Sequence, residues 1–209
     1  MTLRDFLAIL DRAPLIASVQ APEGSPLDSP NPLYRCAEAS LENGVSILRL
    51  QGVENIRYIH EHSQAPTIGL IKREYKDSAV YITPTIREVE RLLETPAEVI
   101  ALDGTRRPRP GGERLEDLIQ AIHAGGRIAM ADCDTLDSIQ YAVRCGADLV
   151  GTTLAGYTEQ SPDREGPALD LLRQAVAEAG RPVLAEGRYA ERWQVEAALA
   201  IGARGVFVG

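Results

Sequence analysis

No apolar run in the 209-residue sequence approaches the roughly 20 residues a membrane-spanning helix needs. The N-terminus is not a basic stretch followed by an apolar core, so no secretory signal is expected. Cysteine is scarce: Cys36, Cys133 and Cys145 are odd in number and show no Cys-x-x-Cys spacing. That pattern suits buried, reduced thiols in a cytoplasmic protein better than a disulfide framework. Positive charge is short as well. Lys and Arg total 22 against 30 Asp and Glu, a net charge of −8, which argues against a nucleic-acid surface. It does not exclude an anionic substrate, because backbone N–H groups and one arginine can build a phosphate pocket.

Several motifs are missing too. There is no Gly-x-Gly-x-x-Gly, no Gly-Lys-Ser/Thr loop and no nucleophile elbow. Dinucleotide and P-loop chemistry therefore lack support. His60-Glu61-His62 resembles a metal pair, but residues two apart on a helix do not share a face, and a solvated helix end is the expectation. Neither a metal nor a cofactor is expected.

What remains is a chain that is 44% apolar, enough for one domain, residues 1–209, with a sizeable core. Short apolar segments read as strands at 15–20, 46–50, 67–71, 99–102, 128–131, 149–151, 183–185 and 205–208. Helical periodicity falls between them at 33–43, 53–62, 86–94, 115–123, 136–144, 168–179 and 192–201, and one further helix, 3–10, precedes the first strand. Strict alternation of this kind implies parallel strands covered by helices. Eight repeats predict a closed (β/α)8 TIM barrel of the α/β class. The sequence stops at Gly209, where such a barrel normally adds a last helix, so a C-terminal truncation with the eighth helix missing is expected.

Barrel chemistry sits at the carboxyl ends of strands. Those ends read Gln20, Arg49, Lys72, Asp103, Asp132, Thr152 with Thr153, Glu186 with Arg188, and Gly209. The most telling run is Ile68-Gly69-Leu70-Ile71-Lys72-Arg73-Glu74-Tyr75, a buried strand breaking into charge. Pro182-Val183-Leu184-Ala185 runs into Glu186-Gly187-Arg188 in the same way. A charge cannot stay unpaired in a core, so Lys72 and Glu186 should emerge into a site, as the raw material of acid–base chemistry. Blander roles stand beside these. Lys72 can snorkel to water, Glu186 can pair with Arg188 or Arg73, and Asp103 and Asp132 can cap the segments that follow. Leu48 and Leu50 flank Arg49, so strand alternation turns it inward, where it needs a carboxylate or a ligand. Gly187 and Gly209 follow the seventh and eighth strands, where barrels frequently hold phosphate.

The chain closely resembles the N-acylglucosamine-6-phosphate 2-epimerase (N-acetylmannosamine-6-phosphate 2-epimerase) family from about residue 15 to residue 209. The segments that carry the resemblance are Ala17-Ser18-Val19-Gln20-Ala21, Gly69-Leu70-Ile71-Lys72-Arg73-Glu74-Tyr75, Tyr81-Ile82-Thr83-Pro84-Thr85, Ala101-Leu102-Asp103-Gly104-Thr105, Met130-Ala131-Asp132, Gly151-Thr152-Thr153-Leu154-Ala155-Gly156-Tyr157-Thr158 and Ala185-Glu186-Gly187-Arg188. The resemblance implies a (β/α)8 barrel that inverts carbon 2 of N-acetyl-D-mannosamine 6-phosphate to give N-acetyl-D-glucosamine 6-phosphate, in amino-sugar and sialic-acid catabolism. It implies Lys72 and Glu186 as the catalytic pair, substrate contacts at Gln20, Arg49 and Asp132, and phosphate contacts at Gly187, Arg188 and Gly209. It also implies a cytoplasmic homodimer acting on a phosphorylated amino sugar. Gly104 stands where the family usually has alanine, a difference expected to matter little. Two rival functions are a Schiff-base aldolase or lyase using Lys72 and a non-catalytic sugar-phosphate-binding barrel.

Overall fold

The computed structural model describes residues 1–22 and 24–209. Eight strands form a closed barrel in sequence order: β1 Leu15–Val19, β2 Ile47–Gln51, β3 Thr67–Leu70, β4 Val99–Asp103, β5 Ile128–Asp132, β6 Leu149–Gly151, β7 Val183–Ala185 and β8 Gly205–Val208. Every neighbouring pair is parallel, and β8 closes onto β1 through Ile16↔Phe207. The helices are α1 Leu3–Leu10, α2 Pro30–Glu42, α3 Val53–Ser63, α4 Ile86–Leu93, α5 Leu115–Ala124, α6 Leu136–Arg144, α7 Leu169–Glu178 and α8 Arg192–Ile201. The expected (β/α)8 architecture is what forms. Among the described residues no helix is long and apolar enough to cross a membrane.

Period-two alternation divides each strand between two cores. On β2, Leu48 and Leu50 face outward and pack with Ile56 and Ile59 of α3, while Ile47 and Arg49 face inward. The outer core lies between sheet and helices. The inner one fills the lower barrel with Ile16, Ile47, Ile68, Val99, Ile128 and Leu149, and α1 seals it from below with Phe6 and Leu10. Thr2 starts α1 with a capping box, its hydroxyl taking the Asp5 N–H while the Asp5 carboxylate takes the Thr2 N–H.

Three expectations need correction. Helix α2 begins three residues earlier than its periodicity suggests, because Pro30 is preorganised for the first helical turn. Strands β4 and β5 each run one residue further, taking in Asp103 and Asp132, which stand in register with one another and with Gly151 on β6. Neither carboxylate caps a helix. Asp103 instead accepts the Thr105 N–H at 2.8 Å and hydroxyl at 2.7 Å and pairs with Arg107 at 2.5 Å. The thiols are all free, but only Cys133 is buried; Cys36 is exposed and Cys145 half-buried. Burial pushes the Cys133 thiol well above its ordinary pKa.

Gly104 matters more than expected. A Cβ there would stand 2.8 Å from both the Ala131 Cβ and the Cys133 Sγ, so alanine does not fit without movement.

Candidate active site

The inward positions of the strands climb from oil to charge. Ile47 is followed by Arg49 on β2, Met130 by Asp132 on β5, Leu70 by Lys72 beyond β3, and Leu184 by Glu186 beyond β7. The carboxyl mouth of the barrel holds a cavity of about 500 Å³. Gln20, Arg49, Lys72, Tyr81, Thr153 and Glu186 line it, with Gly187, Arg188 and Gly209 on its β7–β8 side.

Arg49 is the centre of the charge. It is 1% exposed, with Nη2 2.7 Å from Asp132 Oδ2 and Nε 3.3 Å from Glu186 Oε1. The Phe207 ring lies beneath, 5.3 Å from the guanidinium carbon. Burial works against the cation, but Asp132 and then Glu186 outweigh it and hold Arg49 protonated. The Thr153 Oγ1 lies 2.5 Å from Asp132 Oδ1 and 3.1 Å from Glu186 Oε2. The backbone of Glu186 is fixed by Thr152, whose hydroxyl bonds to both its carbonyl and its N–H, at 2.9 and 3.1 Å.

The two expected acid–base groups are shifted toward each other. Burial raises the Glu186 carboxyl to about 7; Arg49 opposes that, Asp132 adds to it, and Thr153 and Lys72 oppose it. Lys72 is exposed at the mouth, yet partial desolvation of its amine lowers its pKa, with the nearby Arg49 cation second. Both shifts favour the neutral forms, a carboxylic acid able to give a proton and an amine able to take one.

An excursion after β3 builds the wall beside Lys72. Lys72 pairs antiparallel with Ile82, and Tyr75 with Ser78. The Arg73 N–H donates to the Tyr81 carbonyl at 2.9 Å, and the Asp103 N–H to that of Ile82 at 3.0 Å. Thr83, at φ +42°, bonds through its hydroxyl to the Ala101 carbonyl at 2.6 Å. A β-branched residue with positive φ is strained, and strain of this kind concentrates at functional sites. The excursion swings Tyr81 into the cavity. Arg73 and Tyr75 turn away to Glu88 of α4, at 3.3 and 3.2 Å. Arg49, not Arg73, is therefore the cation that depresses Lys72, and Glu186 pairs with neither Arg73 nor Arg188.

Other sequence candidates fall into place unevenly. Gln20 donates to the Ser18 Oγ at 2.9 Å, and its buried Oε1 has no partner among the described residues. Gly187 has φ +106°, a conformation that favours glycine and brings its backbone to the cavity. The Arg188 guanidinium donates to the Ala155 and Gly156 carbonyls at 3.0 and 3.1 Å and lies 4.0 Å from the Tyr157 ring centre. It braces the loop after β6 while lining the same wall. Asp132, expected to touch substrate, does not reach the cavity. It is wholly buried behind Arg49 and Thr153, which occupy both its oxygens. Thr153 and Tyr81 received no role from the sequence. Thr153 stands two residues past Gly151, so alternation carried beyond the strand end would have turned it inward; nothing local marks Tyr81. His60 and His62 sit in the last turn of α3. No group of three or more His, Cys, Asp or Glu side chains among the described residues converges as metal donors.

Set against known proteins, residues 33–209 match the family described as "Putative N-acetylmannosamine-6-phosphate epimerase". A Clostridium perfringens (strain SM101) protein named "Putative N-acetylmannosamine-6-phosphate 2-epimerase" is 45% identical over 195 residues, 93% of this chain and 88% of its own length. The protein of the same name from Edwardsiella ictaluri is 44% identical, over 93% of this chain and 81% of its own. Among solved structures, the N-acetylmannosamine-6-phosphate 2-epimerase from Clostridium perfringens superposes with a TM-score of 0.93 at 44% identity, covering 96% of this chain and 89% of that one.

Proposed function

The chain belongs to the N-acetylmannosamine-6-phosphate 2-epimerase family, and from that premise we propose that it inverts carbon 2 of N-acetyl-D-mannosamine 6-phosphate to give the gluco epimer. The observation that carries the reading at the level of atoms is the Lys72–Glu186 pair around Arg49, with one pKa lowered and the other raised in a single cavity. Ring opening places an aldehyde beside carbon 2 and makes its hydrogen removable. The neutral amine of Lys72 takes that proton, and the electron pair moves onto the carbonyl oxygen. Protonated Glu186 serves the sugar oxygens, donating as the ring opens and as negative charge builds, and recovering the proton as the carbonyl re-forms. The enolate turns its other face to Lys72 by rotation about the bond between carbons 2 and 3, and the Lys72 ammonium returns a proton there, which completes inversion and restores the neutral amine. Arg49 offers a fixed positive charge to the enolate oxygen, and Gln20 offers its amide.

The 6-phosphate belongs at the β7–β8 side, against the backbone of Gly187 and Gly209 and the guanidinium of Arg188. Asp132 contributes by holding Arg49 rather than by touching sugar. The same reading takes residues 1–209 as one barrel domain, working as a cytoplasmic homodimer without a cofactor.

Heavy water tests the chemistry. With acid–base groups exchanging protons with solvent, the product is expected to carry deuterium at carbon 2 by NMR. Product that keeps its original hydrogen throughout rejects a solvent-exchanging deprotonation. Borohydride treatment with substrate distinguishes the aldolase reading, which requires a covalent adduct on Lys72.

A further inference from the structure

One hydroxyl stands between two carboxylates. The Thr153 Oγ1 is 2.5 Å from Asp132 and 3.1 Å from Glu186, and it has a single hydrogen to give. The shorter contact identifies Asp132 as its acceptor. Arg49 is divided in the same unequal way, at 2.7 Å to Asp132 and 3.3 Å to Glu186. Both available donors thus favour the deeper carboxylate. The arrangement is built rather than incidental. The Thr152 hydroxyl ties the backbones of Thr152 and Glu186 together, so Thr153 and Glu186 cannot drift apart. Gly151 clears the space, since a Cβ there would stand 2.8 Å from the Met130 Cε and 3.1 Å from the Thr153 Oγ1.

We propose that Thr153 is a positioning residue that breaks the near-equivalence of two carboxylates. By giving its one hydroxyl hydrogen to Asp132, it fixes the permanent negative charge there and leaves Glu186 as the carboxylate that takes up and releases the proton. Both carboxylates face the same two groups, Arg49 and Thr153, and a proton taken up by the pair goes to the one held by the longer contacts. The charged groups facing Glu186 are Arg49 from β2, Lys72 from beyond β3 and Asp132 from β5. Lys72 favours ionised carboxylates in general; Arg49 leans toward Asp132 as Thr153 does, and Thr153 is the donor that can be removed without removing a charge. The proposal rests on Glu186 acting as the proton carrier.

The test reads protonation without substrate. In protein with ¹³C-labelled Glu and Asp carboxyls, side-chain NMR is followed across pH 4–9 for wild type, Thr153→Val and Thr153→Ser. In wild type one glutamate, lost in Glu186→Gln, is expected to titrate near neutrality with full amplitude. In Thr153→Val the amplitude is expected to divide between that signal and a buried aspartate, and the apparent titration to move up by about one pH unit. Thr153→Ser, which keeps the hydroxyl, is expected to behave as wild type. The pH limb of kcat/KM should move with the NMR titration. Should Thr153→Val cost only thermal stability, with the Glu186 titration and pH limb unmoved, the hydroxyl is structural and the proposal falls. A Glu186 signal that titrates as expected in an enzyme showing no epimerisation would instead count against the reaction assigned above, leaving the role of Thr153 intact.

Discussion

The floor and the mouth of the barrel are made by the same eight strands, read two to four residues apart, and they follow opposite rules. At the floor, Ile16, Ile47, Ile68, Val99, Ile128 and Leu149 close on Phe6 and Leu10 of α1, and every inward atom is apolar. At the mouth, inward positions further along carry Arg49 and Asp132, both buried, and Glu186, whose side chain is 14% exposed to the cavity. Burial of apolar surface stabilises the fold, whereas burial of ions costs free energy that their mutual attraction returns only in part. The comparison assigns stability to one end and reactivity to the other, and substitutions at each end should separate the two.

The largest effect is expected at the mouth. Lys72→Ala removes the cavity's amine without opening the core, because the residue is exposed. Turnover should fall by at least the roughly 10²–10⁴-fold that a positioned acid or base contributes, with the unfolding temperature nearly unchanged. Kinetics and thermal melts on the same preparation check this, and a folded Lys72→Ala enzyme with near-normal turnover would break the comparison. The floor should answer in the reverse sense. Phe6→Ala empties a wholly buried site, and stability should drop by about 3–5 kcal/mol. Folded protein should keep turnover within a few-fold, as denaturant titration beside kinetics would show.

The smallest effect sharpens the contrast through pH. The Glu186 carboxyl titrates at about 7 in the fold against an ordinary 4.5. A raised carboxyl lends its full stability below the ordinary value and loses it as pH climbs through 7. Glu186→Gln removes that titration. The melting temperature of the variant, relative to wild type, should therefore rise between pH 4 and pH 8, by a few degrees. A constant gap across that window would mean that Glu186 has an ordinary carboxylate pKa.

Much of this division was legible in the chain. Apolar strands of alternating parity, each followed by a helical period, are enough to specify a barrel, and the inward arginine between Leu48 and Leu50 announces a buried partner. Which partner it takes is a matter of register. Arg49 on β2 meets Asp132 on β5 across the barrel, a pairing 83 residues apart that no local pattern encodes. For the same reason the strand-end position of Asp132 does not disclose that Arg49 and Thr153 enclose it. Tyr81 was hidden because its loop gains its shape from non-local hydrogen bonds, Ile82 to Asp103 and Thr83 to Ala101.

Helix α1 touches nothing at the mouth, yet it works as an electrical insulator. Phe207 lies between the Arg49 guanidinium and the apolar packing that Phe6 and Leu10 complete. Keeping water out from below preserves a low local dielectric under the ion cluster, and it is desolvation that lifts the Glu186 carboxyl toward neutrality. The first ten residues of the chain thereby help to set the acidity of a group at the opposite end of the barrel, through the solvent they exclude rather than any bond they make.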